Sequence, residues 1–253
     1  VAGGATYAEA IEIDNTGFGA FPKGVRIVCE GPQPAVLAPP GSGPIVHLVN
    51  TERFILQGFE LAGAGRPVAL RIEGHLSGSQ FEQLTIHDVQ AIGLEVSGGG
   101  LSASPIVIRD VVIARLGPQA AGIVLSPGVA ATRELLIHRC RLSGPLATGV
   151  RVDTDAGELE IRECRFDDVE TPILFSAAGQ ALEAISIANN TFRRFQQGIR
   201  FAGLPQTGSP GIGFQKNLFV SPGGPEVVVD GAAAASLEGL SQGAAVELNW
   251  TEG

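Results

Sequence analysis

Arg151, Asp153 and Asp155, in the stretch GVRVDTDAGE, form the densest group of residues able to do acid–base chemistry. Two carboxylates near one another can act as acid and base on a glycosidic bond, and an arginine beside them can hold an anionic sugar by charge-assisted hydrogen bonds. In an extended chain Asp153 and Asp155 lie about 6.5 Å apart. Asp167, Asp168 and Glu170 follow in FDDVETP. Carboxylate oxygens of this kind could also take a Ca2+ ion; no cofactor is otherwise expected. Both stretches equally fit polar turns, where Asp is favoured for backbone reasons, so they do not by themselves establish catalysis.

A second constellation is His87, Arg109, His138 and Arg162, with Arg141 and Arg165 close behind. Such a stripe could hold an anionic polysaccharide. Asp88, Asp110 and Glu163 directly follow three of these residues, so ion pairing across a solvated face is the simpler explanation. The two histidines lack an obvious third ligand, and no metal site is expected. Cys29, Cys140 and Cys164 form no CxxC pair and are too few for a disulfide framework; Cys140 and Cys164 read as small buried thiols.

Composition narrows the partners. The chain has 253 residues and a net charge of −9, with Lys23 and Lys216 its only lysines, so nucleic acid is an unfavourable partner. No run of apolar residues is long enough to span a membrane. The opening VAGGATYAEA lacks Met and a basic segment, as expected of a mature protein or an excised domain. One tryptophan, Trp250, and one tyrosine, Tyr7, sit near the ends, which leaves the body of the chain poor in aromatic platforms for sugars.

The elements that must position these residues emerge from an internal repeat. An octapeptide with apolar residues at positions one, three and eight recurs as FILQGFEL, LTIHDVQA, IVIRDVVI, LLIHRCRL, LEIRECRF, ISIANNTF and IGFQKNLF. Its third position falls at Leu56, Ile86, Ile108, Ile137, Ile161, Ile187 and Phe214, in steps of 30, 22, 29, 24, 26 and 27. Between the copies lies a second ladder, Leu48, Ile72, Val96, Leu125, Val152, Phe175, Phe201 and Val229, often preceded by Gly. Alternation with period two marks strands, and helical stripes are weak. An antiparallel sandwich gives no reason for one octapeptide to recur in phase. The pattern predicts an all-β, single-stranded, right-handed parallel β-helix of roughly eight to ten coils with three parallel sheets. The predicted limits are an N-terminal cap and first coil over 1–44, regular coils over 45–229 and a C-terminal cap over 230–253 that includes the Ala run 232–235.

The segments IANNTF and GFQKNLF resemble the second strand, turn and third strand of the pectin-lyase-like right-handed β-helix superfamily, over roughly residues 45 to 229. The resemblance implies an asparagine stack at Asn190 and Asn217, in a column shared with Val89, Val111, Cys140 and Cys164. It also implies that a polysaccharide site would lie on the outer face of the first strand. Outward positions there are Arg71, Glu95, Val124, Arg151, Leu174, Arg200 and Val228, with Glu73, Asp153, Ser176 and Asp230 two residues further on. DTD at 153–155 resembles one polygalacturonase element, but the following coil carries SAAG where a paired DD is required, and GHG and RIK are absent. The WiDH and RxPxxR segments of pectate lyases and the DFIFG and GRPW segments of pectin methylesterases are absent too. Rung texture is also similar to β-helix regions of planctomycete proteins, including those attached to serine/threonine kinases, although no kinase motif occurs here.

The resulting expectation is a noncatalytic, extracellular or periplasmic, monomeric binding or sensor domain for a carbohydrate or cell-envelope polymer. Its ligand would meet Arg151, Asp153, Asp155, Arg200 and Glu95. The alternatives are a polysaccharide lyase or glycoside hydrolase acting on an acidic glycan through Asp153, Asp155 and Arg151, and a structural spacer. The connections 62–69, 97–105 and 202–211 are candidates for a cleft wall.

Overall fold

The computed structural model describes residues 1–16, 24–100, 104–128, 132–177, 180–203, 211–230, 246–247 and 250–252. The described residues form strands and turns, every strand pairing is parallel, and the chain winds as a β-helix of about eight coils. Each coil contributes up to three strands, and these build three faces. The second-strand face runs from Val25–Val28 through Phe54–Gln57 and Ile106–Arg109 to Ile212–Gln215. The first- and third-strand faces belong to one 17-stranded sheet, because Arg141–Val152 and Arg165–Phe175 run without a break from the third face into the first. Segment 1–44 already holds rung strands, with Thr6–Tyr7 paired to Ala35–Leu37 and Ile11–Asp14 to Val46–Val49. The Ala run 232–235 and residues 204–210 and 101–103 lie outside the described residues, so those portions of the cap and of the candidate cleft walls are not described.

Stacking puts like side chains on top of one another. Ile108, Ile137 and Ile161 are consecutive register partners and fully buried. In the third-strand ladder Phe166, Phe192 and Phe219 stack with ring centroids 5.2 and 4.9 Å apart, and Phe175 lies 4.6 Å from Phe201. Each buried Phe contributes about 1.5–3 kcal/mol of transfer free energy, so these columns are a main source of cohesion between coils. The recurrent Gly before the first strand is explained by close approach. A Cβ at Gly149 would fall 2.5 Å from the Pro172 carbonyl oxygen of the next coil.

One register differs from the sequence reading. Leu56 and Ile108 both pair with Phe81, whereas Ile86 pairs with Leu61 and Ile113. LTIHDVQA is thus third strand and onward, one strand later in its coil than expected. The reason is that period-two alternation is the same in every strand of a coil and does not say which strand is being read. Phe81 restores an even pitch, with steps of 25 and 27 in place of 30 and 22. The column below Val111 is therefore Leu84 rather than Val89, and the second-face position assigned to His87 belongs to Glu82.

The corners share a backbone device. Gly58, Gln83, Asp110, Arg139, Glu163, Asn189 and Lys216, the residues between second and third strand, all have φ between 51 and 82°. A left-handed residue redirects the chain from one face to the next within one position, which accounts for the tightness of this turn. A second such column lies at or near the start of the second strand, at Gly24, Arg53, Gly78, Glu134, Glu158, Ala184 and Gly211.

Candidate active site

The outward column of the first face is His47, Arg71, Glu95, Val124, Arg151, Leu174, Arg200 and Val228, in unbroken register. Its first coils carry a groove of about 580 Å3, floored by Arg71, Glu73 and Glu95 and walled by Ser126, Pro127 and Gly128. The wall is built by the chain leaving the strand Ala121–Leu125, which folds back so closely that a Cβ on Gly128 would lie 2.5 Å from the Ser97 carbonyl oxygen.

Four chemically able groups line the groove, Arg71, Glu73, Glu95 and Ser126, with His47 beside Glu73. Arg71 Nε donates to Glu95 Oε2 at 2.8 Å and lies 3.7 Å from Glu73 Oε1. Two oxygens at those distances from one nitrogen are separated by no more than roughly 6.5 Å, close enough for the two carboxylates to act on one glycosidic bond. Ser126 Oγ donates to Glu95 Oε1 at 2.9 Å, so both Glu95 oxygens are fixed. His47 Nε2 stands 3.5 Å from Glu73 Oε1, buried and without a hydrogen-bond partner among the described residues.

The residues singled out from sequence lie further along the same face. Arg151 Nε donates to Asp153 Oδ2 at 2.9 Å, and Ser176 Oγ donates to Asp153 Oδ1 at 2.6 Å. Asp155 Oδ1 accepts the Ala181 N–H at 2.8 Å and so ties its turn to the next coil. Arg200 closes on Asp230 at 2.6 Å. Arg151, Asp153 and Arg200 thus share the groove's face, Glu95 lies in the groove itself, and Asp155 is engaged with backbone. His47, Arg71 and Glu73 were not chosen from sequence as a site. Their signal was present in the even 24-residue steps from Leu48 to Ile72 to Val96, whose outward neighbours they are.

Among the described residues no group of three or more His, Cys, Asp or Glu side chains is placed to hold a metal ion. On the second face the charges are paired between coils, Arg109 with Glu82 at 2.6 Å and His138 with Glu163 at 2.8 Å. Arg139 donates two hydrogen bonds to Asp110, and that guanidinium holds the Asp110 carboxyl below the usual range. His87 lies on the third face between Glu60 and Asp88. Cys140 and Cys164 are free and buried; burial pushes the Cys164 thiol well up, which leaves it unreactive.

No protein-family model and no curated protein matches the chain. Among solved structures it is similar to an alginate lyase from Paenibacillus sp. strain FPU-7, at 13% identity and a TM-score of 0.47, covering 100% of this chain and 89% of that one. The noncatalytic binding or sensor domain expected from the sequence finds no counterpart in this comparison, whose match is an alginate lyase. Among the described residues no helix is long and apolar enough to cross a membrane.

Proposed function

We propose that the chain cleaves glycosidic bonds in an acidic polysaccharide, by hydrolysis at Glu73 and Glu95. The observation that carries this reading is the carboxylate pair bridged by Arg71 in a groove on the face along which a polymer would run. Glu95, with one oxygen on Arg71 and the other on Ser126, is held as the nucleophile toward the anomeric carbon. Glu73 is more exposed, with His47 behind it; it delivers a proton to the leaving oxygen as the glycosidic bond breaks, then takes a proton back from the water that displaces Glu95 from the anomeric carbon. Arg151 and Arg200, three and five rungs beyond Arg71, would hold uronate carboxylates of the same polymer by exchanging Asp153 and Asp230 for them.

Purified protein incubated with a panel of uronate polymers should release new reducing ends. Glu73→Gln and Glu95→Gln should each lower that rate by about 10²–10⁴, with melting curves unchanged. Absence of new reducing ends from every polymer, or full activity in both variants, rules the proposal out.

A further inference from the structure

The third-strand face carries a second column that the groove does not use. Val112, Arg141, Arg165, Thr191, Leu218 and Trp250 follow one another in direct register, one per coil, all on the outer side. Trp250 is 67% exposed and Val112 37%, the two most open large apolar side chains of the described strands. At about 4.8 Å per rung, the path from Arg141 to Trp250 is roughly 19 Å long.

Around Arg141 and Arg165 the face is basic. Arg165, Arg193 and Arg194 gather on two carboxylates, Asp167 and Asp168, on a chain whose net charge is −9. Asp167 already serves Arg165 at 3.0 Å and Arg194 at 2.6 Å. Arg141 is exposed and has no ion-pair partner among the described residues, although it sits directly over Arg165. Like charges placed opposite one another in a sheet are destabilising, and an anion between the two guanidiniums would relieve that cost.

We infer that this column is a secondary binding surface for an extended acidic glycan, with carboxylates on Arg141 and Arg165 and a sugar ring stacked on Trp250. An extended pyranose chain advances per residue by close to the rung spacing, so successive sugars meet successive coils. An exposed indole face offers the apolar and polarisable surface that sugar rings stack on. The inference rests on the proposed acidic-glycan substrate but uses none of the groove's side chains, so the surface tethers polymer while the groove cuts it.

Trp250 is the sole tryptophan, which makes its fluorescence a direct reporter of this face. The experiment titrates the protein with a galacturonic acid hexamer, and with cellohexaose as the uncharged control. The expected result is a saturable blue shift with the hexauronate alone, weakened about tenfold by Arg141→Ala and retained in Glu95→Gln. No shift with the hexauronate, an equal shift with cellohexaose, or a shift indifferent to Arg141→Ala overturns the surface. A protein that shows the shift but cuts no polymer supports the surface while overturning the groove's assignment.

Discussion

Replacing Asn190 by Leu should be among the most damaging single changes in the solenoid, although it inserts an apolar residue of similar size into a buried site. Asn190 and Asn217 lie at the turn between second and third strand, where the left-handed residue before each of them aims the next N–H inward. The side chain of the following coil takes up that N–H: Asn190 Oδ1 accepts from Cys164 N at 2.9 Å, and Asn217 Oδ1 accepts from Asn190 N at 3.1 Å. In return Asn190 Nδ2 donates to the Ile161 carbonyl at 2.9 Å and to Asn217 Oδ1 at 3.1 Å. Leu at 190 strands the buried Cys164 N–H, at about 1–3 kcal/mol, and removes a partner from the Ile161 carbonyl, at about 1 kcal/mol. A total of about 2–4 kcal/mol corresponds to a fall in Tm of roughly 10 °C for a chain of this size. Asn190→Cys is the informative companion. Cys164 already fills the equivalent role in the preceding coil, its Sγ lying 3.4 Å from Cys140 N and 3.6 Å from the Ile137 carbonyl oxygen. Cys at 190 should therefore cost only about 1 kcal/mol. Thermal and urea unfolding followed by circular dichroism measure both variants. Asn190→Leu within about 0.5 kcal/mol of the parent, or Cys as costly as Leu, would refute the reasoning.

Two further outcomes follow from the corners. Ala184 holds φ 52° with no side-chain oxygen to favour it, in a column where Gly24, Gly78 and Gly211 occupy the same turn. Ala184→Gly should raise stability by about 0.5–1 kcal/mol, read as a higher urea midpoint. Burial, and secondly the neighbouring Glu158 carboxyl, raise the pKa of Glu134. A carboxyl whose folded pKa exceeds its unfolded one contributes stability below the unfolded value and loses it as pH rises through the folded value. Glu134→Gln should accordingly melt higher than the parent at pH 7 and at the same temperature at pH 4; a gain of equal size at both would contradict the assignment.

Much of the architecture was legible because a solenoid repeats its constraints. The Ile ladder through Ile108, Ile137 and Ile161 and the outward run from Arg71 to Val228 could be read as columns, since each coil must place an apolar side chain over the last. The phase of the coil around Phe81 could not, because QFEQLTIH alternates in the same way as LTIHDVQA and only the pairing decides between them. The groove proposed as the site was half visible. Glu95 and Arg71 stood in the right column, but a charged pair one coil apart has no signature in a linear string, whereas RVDTD, with its charges adjacent, attracts attention. Asp155, adjacent in the string, accepts the Ala181 N–H of the next coil. Trp250 read as belonging to a terminal cap, and only its pairing with Leu218 puts it in line with Arg141 and Arg165.

The claim that Glu73 and Glu95 cleave by a paired-carboxylate route is tested most directly by the configuration of the first product. The Glu73 and Glu95 oxygens that face Arg71 Nε lie no more than roughly 6.5 Å apart, at or below the short end of the spacing of inverting pairs, so a retaining course is expected. Proton NMR of the newly released reducing end, recorded before mutarotation, should show the anomer of the bond that was cut. The opposite anomer, or a product unsaturated between C4 and C5, would contradict the account.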